Sequence, residues 1–218
     1  MTFFTATLFP ILLMLGNWQV ERGAEKRGLE NKYLAQLAGL PAKPSPAALS
    51  VPFKTIRLNG VYEPEYFLLD NQIHDGNVGY WVIQAFLDED HGRFLINRGF
   101  VAGSRDRSEL PVVSAPVGKR SPVATVWPDL GLIPILVDTP WEEQWSKQVQ
   151  RLEIDRMAEL VDAYPVELRL EAGQFGALVA APFAQVFSDA THKGYALTWF
   201  GLSITLILGF IVYGFKRS

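Results

Sequence analysis

Two uncharged apolar runs, one near each end of the chain, limit what this sequence can become. Phe3 to Val20 (FFTATLFPILLMLGNWQV) and Tyr195 to Phe215 (YALTWFGLSITLILGFIVYGF) contain no Asp, Glu, Lys or Arg. At about 1.5 Å rise per residue, each covers roughly the 30 Å hydrocarbon core of a bilayer. The second run has Tyr195 and Trp199 near its start and Tyr213 near its end, and Lys216 and Arg217 close it. Aromatic residues at both interfaces and a basic flank are the pattern of a transmembrane helix. The first run has no basic residues before it and no A-x-A-like site after it, so it reads as an uncleaved anchor rather than a signal peptide. No Arg- and Ser-rich leader precedes it, and its mid-span Pro10 is compatible with a membrane helix.

The mean hydropathy of +0.10 is therefore an average over two lipid-soluble ends and an ordinary polar middle. The fold class that follows is an α+β membrane protein: two transmembrane helices flanking a β-rich domain with at least one helix. The expected divisions are a first span at 3–20, a helical extension and Pro/Ala-rich linker at 21–52, a β-rich domain at 53–191 and a second span at 195–215. Two spans put both termini on one side. Basic residues flank the spans on both sides, and the segment between them is too long for the positive-inside rule, so charge leaves the orientation open.

Within the middle segment the apolar period changes from 3.6 to 2. Ile56 and Leu58 alternate with polar neighbours, VYEPEYFLLDNQ is a second strand interrupted by Pro64, and GYWVIQAFL and RFLINRGFV form a hairpin across the turn DEDHG. SRDRSELPVVSAPVGKRSP (104–122) reads as a surface loop, VATVW and LIPILVD as short strands, and VELRLEA as a last strand. Thr139-Pro140-Trp141-Glu142 has the form of a capping box. Trp145, Val149, Leu152, Met157, Leu160, Val161 and Tyr164 then predict an apolar helix face ended by Pro165.

Composition excludes several chemistries. With no cysteine there is no disulfide, thiolate metal site, iron–sulfur cluster or cysteine nucleophile, and a formal charge of −3 gives no basic field for nucleic acid. No G-x-S-x-G elbow, H-E-x-x-H, P-loop or G-x-G-x-x-G occurs, so no constellation supports an enzyme. His74 and His91 fall in turn sequences beside Asp and Gly. His192 differs, because it lies three residues before the second span. On a helix it shares a face with Tyr195, Ala196 and Trp199, which offers an imidazole, a small residue and two aromatics. Such a face suits an axial haem ligand with a stacking platform, or a plain interfacial anchor. Trp18, Arg22 and Lys26 recur on one face of the first helix, where cations suit haem propionates or lipid phosphates. Gly201, Thr205 and Gly209 form a small-residue stripe for packing on the first span or on a partner's helix.

Taken in order, these motifs resemble the SURF1 (surfeit locus 1) family. LGNWQVERGAEK is similar to that family's LG-x-WQ-x-x-R-x-x-x-K pattern through Gly16, Trp18, Gln19, Arg22 and Lys26. LNGVYEPEYFLLDNQIHDGNVGYWVI, FLINRGFV (Asn97, Arg98, Gly99), DRSELP and HKGYALTWFGL resemble the motifs that follow it. There are departures: Phe100 stands at the signature's tryptophan, VIQAF lacks a usual proline, and Ala190 and Thr191 replace a frequent asparagine. The resemblance implies a bacterial inner-membrane, multi-pass protein with both termini cytoplasmic and the central domain periplasmic. It also implies a role in assembling haem–copper cytochrome c oxidase by assisting haem a insertion into subunit I. His192 matches the family's haem-implicated histidine. Its expected companions are Arg22 and Lys26 for the propionates, and Tyr195 and Trp199 as the platform. Asn97, Arg98 and Gly99 are expected to build the domain or dock the oxidase. The cofactor implied is haem a, held transiently. The implied partners are subunit I, its assembly intermediates, haem a synthase and the bilayer, with no nucleic acid. Copper-delivery factors use paired thiolates, so a cysteine-free chain belongs on the haem side. The alternative is a cofactor-free membrane scaffold or accessory subunit.

Overall fold

A computed structural model describes residues 2–104, 109–129, 140–179 and 187–216. The expected strand at 132–138 and residues 105–108 of the loop lie outside them. In chain order the elements are α1 (Thr2–Leu37), α2 (Pro46–Leu49), β1 (Thr55–Arg57), β2 (Gly60–His74), β3 (Asn77–Asp88), β4 (Gly92–Ala102), β5 (Val123–Trp127), β6 (Lys147–Val149), α3 (Ile154–Val161), β7 (Ala163–Leu170) and α4 (Ala190–Phe215). The chain divides into two compact units, Met1–Lys32 with Pro182–Ser218 and Tyr33–Ala181. It is an α+β protein with apolar terminal helices around a sheet-rich domain.

In the Tyr33–Ala181 unit the described strands form one sheet in the order β1-β5-β7-β4-β3-β2-β6. β2, β3 and β4 are an antiparallel meander, as their apolar alternation predicts. Both prolines that weaken strand propensity sit at irregularities. Pro64 lies in the register shift between Tyr62 and Tyr66, and Pro165 in the shift between the Arg93–Ala163 and Leu95–Glu167 pairs. Proline has no N–H to give a ladder, and a bulge asks for none. The β3–β4 turn is tied by Asp88, whose carboxylate accepts the N–H groups of Asn59, Asp90 and His91 and pairs with the His91 ring at 2.8 Å. Burial pushes the Asp88 carboxyl up, but these bonds outweigh it and hold it below its ordinary range. His91 is therefore a turn clasp. His74, at the β2–β3 turn, sits 3.5 Å from Asp75 and beside the Phe100 ring.

The long helix expected from Thr139 to Tyr164 is corrected. Thr139 lies outside the described residues. Trp141 and Trp145 set their rings edge-on to Phe67 at 5.7 and 5.2 Å, and Lys147–Val149 pairs in parallel with the edge of β2. The helix begins only at Ile154 and stops at Asp162, in the left-handed region at φ 53°. Tyr164 and Pro165 belong to β7. An apolar spacing of three and four fits a helix, but the unpaired backbone of β2 captured the middle of the segment. The Pro/Ala-rich stretch likewise holds one helical turn, α2, whose N-cap Ser45 accepts from the Ala48 N–H at 3.2 Å.

One face of the sheet buries Ile56, Leu58, Phe86, Phe94 and Ile96 beneath Leu49, Ala115 and Ala177. The other buries Phe67, Leu69, Ile83 and Leu95 beneath Met157 and Ala158 of α3. Asn97 and Arg98, adjacent on β4, point to opposite faces. Asn97 donates to Glu167 Oε1 at 2.8 Å, and Arg169 donates to the same carboxylate at 2.8 and 3.2 Å. The Arg169 guanidinium also lies over the rings of Trp81 and Trp127. On the opposite face, Arg98 donates to Gly176 O at 2.7 Å, to Ser114 O at 3.1 Å and to the Gln84 side chain. Burial pulls its guanidinium below the usual value. Gly99, at φ 109°, adopts a conformation that side chains avoid. The Asn-Arg-Gly signature is thus a structural clamp that ties two loops and a buried ion pair to β4.

Breaking that ion pair should be costly, because it strands a buried charge. Glu167→Ala should destabilise the detergent-solubilised protein by about 3–5 kcal/mol, read by urea unfolding through tryptophan fluorescence. A loss below about 1 kcal/mol, the range of an exposed pair, would contradict the clamp.

Candidate functional site

The Met1–Lys32, Pro182–Ser218 unit is a helix pair. α1 and α4 are each long and apolar enough to cross a membrane, and only 22% and 11% of their most apolar windows are buried. A core helix of a soluble protein would hide most of such a surface. Here Met14, Leu197 and Ile204 face outward, which is stable against lipid and not against water. Hydroxyls along α4 return their protons to its own backbone, Thr198 to Gly194 O, Ser203 to Phe200 O and Thr205 to Gly201 O. A polar group in a bilayer needs such a partner.

The seam between the helices is built from small residues on α1. Its buried positions include Thr5, Leu12, Gly16 and Gly23, a heptad-like stripe, and those of α4 are Ala196 and Ser203. A Cβ placed on Gly16 would fall 2.5 Å from the Phe200 ring, so Phe200 occupies the space a side chain would take. A Cβ on Gly23 would lie 3.5 Å from His192 Cβ and 3.6 Å from Asp189 Cβ. As α1 positions rise their α4 partners fall, so the helices run antiparallel.

At the head of this seam, His192 Nδ1 is 2.8 Å from Gln19 Oε1. Just before α4, the Asp189 carboxylate takes Lys193 at 2.9 Å and a short bond from Arg27. Those two donors hold its carboxyl below the ordinary carboxylate range. Asp189 is the N-cap residue of α4, yet its side chain makes no cap bond and serves the cations instead.

The residues singled out in the sequence are distributed around this head. Arg22 pairs with Glu25 at 2.8 Å and its guanidinium lies 5.8 Å from the centre of the Trp18 ring. Lys26 follows Gln19 by one heptad and is half-buried. Tyr195 is 55% exposed, Trp199 is half-buried, and Ala196 is buried. The expected His192–Tyr195–Ala196–Trp199 face is therefore divided: Ala196 lies inward and Tyr195 outward. The Gly201–Thr205–Gly209 stripe faces outward, and a Cβ on either glycine would meet nothing within 4 Å. It does not pack on α1. Gly23 and Asp189 are the site residues that sequence reasoning passed over; Gln19 stood in the first-helix motif but had no role assigned to it. Gln19 and Gly23, four apart and in phase with Gly16, carried a helical-face signal. Among the described residues, no three His, Cys, Asp or Glu side chains gather to hold a metal ion.

The fold and this site define a class: a sheet domain flanked in sequence by two long apolar helices, with an imidazole at the head of the helix seam. The sequence model of the SURF1 family matches residues 6–204. The chain is 24% identical over 218 residues to a SURF1-like protein of Rickettsia felis (strain ATCC VR-1525 / URRWXCal2), covering 94% of this chain and 92% of that one. It is 23% identical over 257 residues to a SURF1-like protein of Dictyostelium discoideum, covering 97% and 94%. The chain belongs to the SURF1 family.

The Asp189 cluster makes helix pairing pH-dependent with a fixed sign. A carboxyl whose folded value is depressed stabilises fully above its unfolded value, and loses that contribution as pH falls through the folded one. Wild type should melt above Asp189→Asn at neutral pH, with the two converging in acid below the ordinary carboxylate range. Thermal melts of the detergent-solubilised chains check this, and a gap that persists or widens in acid would contradict it.

Proposed function

We propose that this chain is an assembly factor for haem–copper cytochrome c oxidase that binds haem a transiently at the head of the helix pair and passes it to subunit I. The observation that carries this is the placement of His192. Its Nδ1 is engaged by Gln19, and among the described residues its second ring nitrogen has no hydrogen-bond partner. The donor set suits a haem, with an imidazole, cations on α1, an exposed aromatic beside the imidazole, and no thiolate in the chain. When bound, haem a supplies the iron and macrocycle destined for the oxidase.

The protein's own part is to bind and to release. His192 offers a ring nitrogen to the iron. Arg22 and Lys26 are the candidates for the propionates. Arg22's present bond to Glu25 joins two exposed side chains, and such pairs are worth about 0–1 kcal/mol, so it yields readily to a stronger anion. Tyr195 and Trp199 are the aromatic platform. The activity is ligation and handover rather than turnover. The chain would sit in a bacterial inner membrane with both termini cytoplasmic and the sheet domain periplasmic. Its partners would be subunit I, assembly intermediates and haem a synthase. The outward Gly201–Thr205–Gly209 stripe gives a partner helix a surface for close approach.

Purified from cells that make haem a, the wild type should show a Soret band that His192→Ala loses. A colourless wild type that still co-purifies with the oxidase would contradict haem handling and favour the scaffold. A periplasm-active reporter inserted at the exposed Val117, within 104–122, should be active. A reporter active only in the cytoplasm would overturn the orientation.

A further inference from the structure

Gln19 lies on α1 and His192 on α4, yet Nδ1 of the ring meets the side-chain oxygen of the glutamine at 2.8 Å. A carbonyl oxygen only accepts, so the proton of this bond belongs to the imidazole. We infer that Gln19 is the positioning residue of the site: it holds His192 as the Nδ1–H tautomer and leaves Nε2 as the bare lone pair that an incoming iron requires.

The ring is fixed from two sides. Its Cβ rests against the backbone of α1 at Gly23, where an added Cβ would already be in contact at 3.5 Å, and its Nδ1 is bonded one turn away at Gln19. A neutral imidazole in water favours the opposite tautomer, with the proton on Nε2, which would block that nitrogen. The partner of a metal-binding histidine sets which nitrogen is free, and removing such a partner typically weakens metal binding about 10–100-fold. Histidine ligands backed by a carboxylate become more basic and bind more firmly. An amide selects the tautomer without adding charge, which suits a site that must give up its cargo. This inference rests on the proposed haem role, but the tautomer itself is a property of the protein without haem.

The test therefore reads the two separately. Full-length protein carrying ¹⁵N-histidine, in detergent micelles, is examined by long-range ¹H–¹⁵N correlation, with His192→Ala assigning the signal among the three histidines. Neutral His192 should be Nδ1–H in wild type and in Gln19→Glu, which keeps an accepting oxygen. It should shift toward Nε2–H in Gln19→Leu, which is similar in size and apolar. Haemin titration followed at the Soret band should then show Gln19→Leu binding about 10–100-fold more weakly, with Gln19→Glu binding at least as firmly as wild type. An Nε2–H signal in wild type, an unchanged tautomer in Gln19→Leu, or Gln19→Glu behaving like Gln19→Leu would each overturn the inference. The expected tautomers with no haemin bound by any variant would uphold Gln19 as the positioning residue and sink the haem reading instead.

Discussion

The close antiparallel contact of α1 with α4 is the constraint on which the site depends. Between helices in lipid there is no hydrophobic driving force, since a leucine gains little by leaving one apolar neighbour for another. Association then rests on close packing and on polar contacts. Gly16 admits the ring of Phe200, and Gly23 brings the α1 backbone against His192 and Asp189. The two polar contacts at the head, Gln19 with His192 and the Asp189 cluster with Arg27 and Lys193, add direction to that packing. Without the glycines the histidine would be another residue at the end of a membrane helix. With them its Nδ1 is bonded to Gln19, and among the described residues its other ring nitrogen has no hydrogen-bond partner.

The sheet domain makes a different use of its distinctive residues. The Asn97-Arg98-Gly99 segment, singled out by its resemblance to a family signature, was expected to build the domain or dock the oxidase. In the structure Asn97 and Arg98 are buried on opposite faces, one within an ion pair and the other holding loop carbonyls. Glycine follows because the backbone turns to a positive φ there. Buried polar groups of this kind are costly to place and specific once satisfied. Their work is to hold the loops carrying Ser114 and Gly176 to the sheet.

What was legible in the sequence followed from signals of long range or strict period. Eighteen or more uncharged, mostly apolar residues admit few environments, so both long apolar helices were readable, and the β3–β4 hairpin was readable from its two apolar runs and the turn between them. The region 141–152 was misread because its apolar spacing satisfies a helix while its backbone satisfies the edge of β2, and only tertiary structure decides between them. Pro165 was read as a helix stop, yet it sits in a bulge where no N–H is required. The site was legible in part. His192 stood out by position, but its partner lies on the other helix, and no single-helix pattern names a contact between two spans. The same limit put Ala196 on an open face and left the outward direction of the Gly201 stripe undetermined.

Because the natural chain has no cysteine, the seam can be tested by a single introduced pair against no background. A Cβ at Gly23 lies 3.6 Å from that of Asp189, within the roughly 3.5–4.5 Å that a disulfide spans. Gly23→Cys with Asp189→Cys, oxidised mildly in membranes, should form an intramolecular bridge, and Gly23→Cys with Gly201→Cys should form none. Failure of the first pair to close, or closure only between chains, would contradict the helix pairing that places His192 beside Gln19.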